Sequence, residues 1–190
     1  ISAILDFAFS GSETLNVTGS DGINTYNREA FNNSAIGRLP FVNGVKCING
    51  MVFDVDTECD NVVFPDEDED LHTIANHLPF EKIKQITVHR GSTVQLLYRC
   101  NTLPKAINIC GNLGESVCQT KEEMASRLTI DSIAELCDRE GVENINIFDD
   151  SKTYKSIDSI VYSYDGKRLL KCPRGKTGHV TIPKGTEIIA

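Results

Sequence analysis

The chain has 190 residues, 40% of them apolar and 24% charged, ordinary proportions for a folded globular chain and enough length for one full core or several stacked repeats. Its net charge of −8 is unevenly spread: residues 152–190 hold eight Lys/Arg against three Asp/Glu (+5), which leaves −13 for residues 1–151. That balance argues against a nucleic-acid partner, which needs clustered cations, and no run approaches the ~18 apolar residues of a membrane-spanning helix.

No charged-then-apolar leader opens the chain, which starts at Ile1 and ends in mid-pattern at Glu187-Ile-Ile-Ala190. It therefore reads as a segment of a longer protein. Two short elements recur along it. One places apolar residues at Ile1/Ile4/Phe9, Ile23/Tyr26/Phe31 and Val45/Ile48/Phe53, with looser copies at Leu71/Ile74/Phe80 and Val94/Leu97. Small residues, Ala8 and Ala30, flank two of the aromatics, as close-packed turns require.

The other element has apolar residues at relative positions 0, +3 and +5. It occurs at Ile36/Leu39/Phe41, Cys59/Val62/Phe64, Ile83/Ile86/Val88 and Val142/Ile145/Ile147, and with weaker first members at Pro104/Ile107/Ile109 and Thr177/Val180/Ile182. Its last two members alternate, as in a strand with one buried face. The starts are separated by 23, 24, 21, 38 and 35 residues, so the two long steps need insertions. In the first, Thr120-Lys-Glu-Glu123 is a capping-box pattern, Ile130, Ile133, Ala134 and Cys137 share a helical face, and Gly141 is a helix stop. A helical stretch is expected over about 120–139, with Thr129 as a candidate break. In the second, Asp165-Gly166 predicts a two-residue turn and a β-hairpin over about 157–172.

Ile48-Asn-Gly-Met-Val-Phe53 also parallels Ile157-Asp-Ser-Ile-Val-Tyr162. This apparent duplication competes with the strand register at 59–65, and the sequence leaves both open.

Ile1-Ser-Ala-Ile-Leu-Asp-Phe-Ala-Phe-Ser-Gly-Ser12, Tyr164-Asp-Gly-Lys-Arg-Leu-Leu-Lys-Cys-Pro173 and Val180-Thr-Ile-Pro-Lys-Gly-Thr-Glu-Ile-Ile189 resemble the BspA-type leucine-rich repeat family. The resemblance runs through residues 1–53 and 157–190, weakens over 59–98 and is poor over 104–150. It implies an α+β repeat fold: a leucine-rich repeat solenoid with short parallel strands on one face. Regular repeats would fill 1–110, a helical insertion 111–141, and repeats with an inserted hairpin 142–190. It also implies a surface-exposed, secreted or anchored protein that binds other macromolecules; fold alone does not fix function.

On such a sheet, side chains between the buried positions face outward. The candidate binding face is therefore Arg38, Asn61, Gln85, Thr87, Asn108, Asn144, Asn146, His179 and Thr181, with Pro40, Val63 and Ala106 among them. The row is mostly uncharged and hydrogen-bonding, which suits either a ligand or a solvated scaffold.

Other chemistry is thin. Asp54-Val-Asp56-Thr-Glu58-Cys-Asp60 alternates oxygens as a calcium loop does, but Cys59 and Pro65 occupy the positions where that loop needs Gly and Glu. It reads as an acidic turn, and Asp66-Glu67-Asp68-Glu69-Asp70 as a solvated loop. His72, His77 and His89 have no zinc spacing, Gly111-Asn-Leu-Gly114 is too short to cradle phosphate, and no catalytic motif appears. No cofactor or metal is expected. Seven cysteines without a C-x-x-C pair read as core thiols, with one or two disulfides or metal and redox use as alternatives.

The expected function is a non-catalytic recognition or adhesion module, extracellular or on the cell surface, binding a protein or glycan. An intracellular protein-interaction scaffold and a metal-dependent enzyme using residues 54–70 are the alternatives. Apolar residues near both ends (Ile1/Ile4 and Ile188/Ile189) predict end-to-end self-association.

Overall fold

A computed structural model describes residues 3–14, 25–65, 71, 73–89, 94, 96–110, 129–148 and 153–190. Strands are short throughout: β1 (Ala3–Ile4), β2 (Thr25–Tyr26), β3 (Val45–Ile48), β4 (Met51–Val55), β5 (Asn61–Val63), β6 (Thr73–Ile74), β7 (Gln85–Val88), β8 (Ala106–Ile109), β9 (Asn144–Ile147), β10 (Tyr154–Ile157), β11 (Ile160–Ser163), β12 (Arg168–Lys171) and β13 (Ile188–Ile189). Val94, Leu96 and Leu97 are helical, and a longer α-helix, α1, spans Ile130–Cys137.

The site-bearing element is a parallel ladder in the order β5-β7-β8-β9. Val62, Ile86, Ile107 and Ile145 are aligned across it, as are Val88, Ile109 and Ile147. These are the +3 and +5 positions of four of the repeated triplets. The first row is fully buried, and each such side chain contributes about 1.5–3 kcal/mol by leaving water. The 38-residue step between Ile107 and Ile145 carries α1 on its return path.

The first part of the chain stacks differently. β1 pairs in parallel with β2, aligning Ile4 with Tyr26, and Asn27 bridges Asn76 in parallel. Phe9, Phe31 and Phe53, 22 residues apart, follow one another in the core: Phe9 and Phe31 stack at 5.5 Å and Phe31 meets Phe53 at 5.4 Å. Offset and tilted rings at this distance are favoured by their quadrupoles. The buried Tyr26 hydroxyl donates to the Val52 carbonyl.

Over residues 59–65 the strand register holds, and the duplication holds upstream of them. β3 and β4 form a hairpin through Asn49-Gly50, and β10 and β11 one through Asp158-Ser159. All four turn residues have positive φ, the primed-turn geometry that matches strand twist. The parallel between Ile48–Phe53 and Ile157–Tyr162 is thus a pair of equivalent hairpins, while Val62 keeps its place beside Ile86. Val45/Ile48/Phe53 is accordingly a hairpin and not a further copy of the first repeated element.

Several expectations are corrected. Ile36/Leu39/Phe41 is not a strand: Gly37 N donates to Ser34 Oγ, Arg38 N to the Ser34 carbonyl and Leu39 N to the Ile36 carbonyl, so consecutive turns consume the donors a ladder would use. Thr177/Val180/Ile182 is not a strand either, and Val180 and Ile182 are exposed. The outer edge of β9 is already taken by the β10–β11 hairpin: Ile147 N donates to Ser156 Oγ (2.8 Å) and Ile145 N to the Ser159 carbonyl (3.4 Å).

The helix over Ile130–Cys137 begins at an N-cap formed by Thr129, the position at which a break in the helical stretch was expected. Ser132 N donates to Thr129 Oγ1 and Thr129 N to Ser132 Oγ, a capping box with serine in place of glutamate. Thr120, Glu123 and Gly111-Asn-Leu-Gly114 lie outside the described residues. The buried face is Ser132, Ile133, Leu136 and Cys137, turned from the predicted one. Gly141 has positive φ but sits in the turn after the helix, whose C-cap is Asp138.

The predicted hairpin is a three-stranded meander, β10-β11-β12, with β13 added in parallel to β12. Its Asp165-Gly166 connection is four residues long, not two. Gly166, at φ 77°, closes a turn by donating to the Ser163 carbonyl, and Ser163 Oγ donates to Asp165 Oδ1 (2.6 Å).

Candidate functional site

The outward face of the ladder is built by strand alternation: with Val62, Ile86, Ile107 and Ile145 directed inward, their neighbours must face the other way. Two rows result. Asn61, Gln85, Ala106 and Asn144 are aligned across the four strands, and so are Val63, Thr87, Asn108 and Asn146.

The second row is bonded along its length, from Ser159 at one end to Asn61 of the first row at the other. Ser159 Oγ donates to Asn146 Oδ1 (2.9 Å), Asn146 Nδ2 to Asn108 Oδ1 (2.9 Å), Asn108 Nδ2 to Thr87 Oγ1 (3.2 Å) and Thr87 Oγ1 to Asn61 Oδ1 (2.9 Å). Every link runs in the same sense, from the hairpin turn towards β5. Thr87 and Asn108 are only 8% and 6% exposed, so their polar atoms need these partners. The chain satisfies them and fixes strand register, but leaves neither presented to a ligand.

The first row is more open: Asn61, Gln85, Ala106 and Asn144 are all half-buried. One residue before it, two cross-strand ion pairs form, Lys84 with Asp60 (2.6 Å) and Lys105 with Glu143 (2.7 Å). The Asp60 carboxylate raises the Lys84 amine above the ordinary lysine range, by hydrogen bonding and by charge. Such exposed pairs contribute little to stability; they set a polar border along the row.

The remaining predicted residues lie elsewhere. Arg38 is exposed in the turn after Ser34 and donates from Nη1 to the Asn33 carbonyl (2.7 Å). His179 and Thr181 are exposed in a segment outside any strand. Ser159, which closes the polar chain, was missed; its signal was present, since Asp158-Ser159 aligns with Asn49-Gly50 and so marks a turn.

The calcium-like segment is spread apart. The Asp54 carboxylate accepts from Arg28 Nε at 2.6 Å, Asp56 Oδ1 accepts from Glu58 N within its own turn, and Asp60 bonds Lys84. Asp54, Asp56 and Asp60 thus each serve a different partner. Among the described residues no three His, Cys, Asp or Glu side chains are grouped to hold a metal ion; the acidic run 66–70 lies outside them.

Among the described residues no helix is long and apolar enough to cross a membrane. No family model, no curated protein and no solved structure matches the chain. The likeness to BspA-type repeats rests on the quoted residues.

Proposed function

We propose that the chain is a leucine-rich-repeat-type solenoid segment that acts as a non-catalytic recognition or adhesion module, extracellular or on the cell surface. Its partner is a protein or glycan, bound on the row Asn61, Gln85, Ala106 and Asn144. The supporting observation is the arrangement of that row: uncharged, half-open, in register over four parallel strands and bordered by two ion pairs. Amide side chains at regular strand spacing suit a ligand with repeated hydroxyl or peptide groups. The reading narrows the sequence-derived face, since Thr87 and Asn108 are buried and Arg38, His179 and Thr181 lie off the ladder.

The test is a binding screen against immobilised glycans and matrix proteins, repeated with Gln85→Arg and Asn144→Arg. A partner whose affinity falls at least tenfold with either substitution supports the proposal. A partner bound equally well by both variants removes this row as the site.

The same reading has the ends of the chain associate. Ile188 and Ile189 on β13 are exposed, as are Leu5 and Phe7 beside β1, and sedimentation over a range of concentrations measures it. A second reading, an interaction scaffold inside the cell, is favoured by the odd count of seven cysteines; counting free thiols in protein taken from its native source separates the two.

A further inference from the structure

Tyr162 and Cys172 meet on the face of the meander that is turned away from the main core. Along β11, Ile160 and Tyr162 belong to a small cluster with Leu169, whereas Val161 between them belongs to the main core. β12 has a bulge at Leu170: Tyr162 is opposite Leu169, and Val161 is opposite Lys171. Leu170 and Lys171 therefore share the side of Val161. Leu170 packs on the main core, and Lys171 Nζ reaches Asp138 Oδ1 at 2.8 Å. The next residue, Cys172, turns to the opposite side, that of Ile160 and Tyr162. Its thiol lies beside Tyr162, while Cys137 is buried on the other side of the sheet, in the main core. Tyr162 is fully buried, yet its hydroxyl has no hydrogen-bond partner among the described residues. Buried polar groups are nearly always paired, so the orphan points to a missing acceptor. Burial, then the Cys172 thiol and the Asp158 carboxylate, push this hydroxyl above the ordinary tyrosine range, and it keeps its proton to donate. Cys172 itself is exposed, and its sulfur makes only a weak contact with the Pro173 carbonyl at 3.7 Å.

We propose that Cys172 is a site of reversible oxidation by hydrogen peroxide, where the Tyr162 hydroxyl holds the resulting sulfenic acid by donating to its oxygen. The Cys172 thiolate attacks one peroxide oxygen. The O–O bond breaks, and the hydroxide that leaves takes a proton from solvent to become water. The sulfur gives up two electrons and the peroxide is reduced. The one atom added is an oxygen, a good acceptor where the thiol was a weak one, placed beside the donor that lacks one. A sulfenic acid is normally consumed by a neighbouring thiol, which gives a disulfide, or by more peroxide, which gives the sulfinic acid. Cys137 faces the other side of the sheet, so the first route falls to a thiol from outside, which regenerates Cys172 through a mixed disulfide. The second route starts from the ionised sulfenate, whose nucleophilicity the Tyr162 hydrogen bond lowers.

The native chain is treated with hydrogen peroxide, sampled over time, trapped with a cyclic 1,3-diketone that reacts with sulfenic acids, and mapped by mass spectrometry. The expected adduct lies on Cys172 and is absent from Cys172→Ser. Tyr162→Phe keeps the ring and removes only the unpartnered hydroxyl, so the reduced variant melts no lower than the parent. Under the same peroxide its Cys172 passes on to the sulfinic acid about fivefold faster, the rate that one hydrogen bond is worth. In the parent, conversion to the sulfenic acid raises the melting temperature, because the Tyr162 hydroxyl gains its acceptor. The proposal is overturned if the adduct forms on other cysteines and not on Cys172, if the parent and Tyr162→Phe reach the sulfinic acid equally fast, or if the parent melts lower as the sulfenic acid than as the thiol.

Discussion

The polar chain across the ladder makes a quantitative prediction through Thr87 and Asn108. Thr87→Val removes the donor to Asn61 Oδ1 and the acceptor of the Asn108 amide. Because Asn108 is only 6% exposed, its Nδ2 then has no acceptor in reach of water, and the desolvation of a buried donor is added to the lost bonds. At about 1 kcal/mol for a bond and about 1–3 kcal/mol for an orphaned buried group, the single substitution costs about 2–4 kcal/mol. Asn108→Val is milder, about 2–3 kcal/mol. It breaks two links, but the half-buried Asn146 amide turns to water and the Thr87 hydroxyl keeps its donation to Asn61. In Thr87→Val/Asn108→Val the orphaned donor is gone. The double variant should therefore be destabilised by at least about 1 kcal/mol less than the sum of the singles, the size of coupling expected within one network. Urea midpoints for the four proteins form the cycle, and each kcal/mol appears as about 2–4 °C in thermal melts at this chain length. Additive losses, or an Asn108→Val variant as stable as the parent, would refute the view that this row is an internal, satisfied network.

Other outcomes follow from separate parts of the fold. Burial pushes the thiols of both Cys100 and Cys137 up to about 12, above the ordinary thiol range. The folded chain holds these protons longer than the unfolded one, so their stabilisation is complete below about pH 8.5 and is lost as pH rises towards about 12, at up to about 1.4 kcal/mol per pH unit for each thiol. Urea midpoints should be flat from about pH 7 to 8 and fall steadily above about pH 9, whereas a flat profile to about pH 10.5 would place both thiols in water. Arg139 donates to the carbonyls of Tyr98, Cys100 and Asn101, tying the segment before β8 to the end of α1. Arg139→Ala should cost about 2 kcal/mol and Arg139→Lys should restore little, because an ammonium cannot fork across three acceptors; a Lys variant as stable as the parent in thermal melts would mean the contribution is charge alone. At Gly175 an added Cβ would lie 2.6 Å from the Val142 carbonyl oxygen, so Gly175→Ala should lose at least about 2 kcal/mol. Gly141→Ala, with open space but a φ of +85°, should lose about 1 kcal/mol, and a reversed order in urea titrations would contradict the close approach at Gly175.

Apolar spacing, read directly, located the ladder. The rows Val62/Ile86/Ile107/Ile145 and Val88/Ile109/Ile147 lie where the +3 and +5 positions put them, because a strand with one buried face imposes a period of two on its own residues. Turn chemistry was only partly read: Asp165-Gly166 marked a reversal, though as a two-residue turn where the connection has four, and the Asn49-Gly50 hairpin was taken for a copy of the first element although that pair carries its own backbone preference. The failures are places where a local pattern met a distant competitor. Ile36/Leu39/Phe41 has a strand's spacing, but Ser34 and its neighbours bond the backbone into turns. Thr177/Val180/Ile182 has it too, but the edge it would join already holds the β10–β11 hairpin.

The amino-acid order by itself determined which side chains alternate, where the chain reverses and which residues leave water, since those depend on neighbours a few positions away. Tertiary structure alone decided that the outward Asn and Thr residues bond to each other across four strands, and that the end of α1 meets the end of β12 through Lys171 on Asp138 and Arg174 N on the Cys137 carbonyl. Both are matters of which segments lie side by side. Hydrogen bonds and ion pairs act over a few ångströms of space, and only the folded chain sets those distances between residues dozens of positions apart.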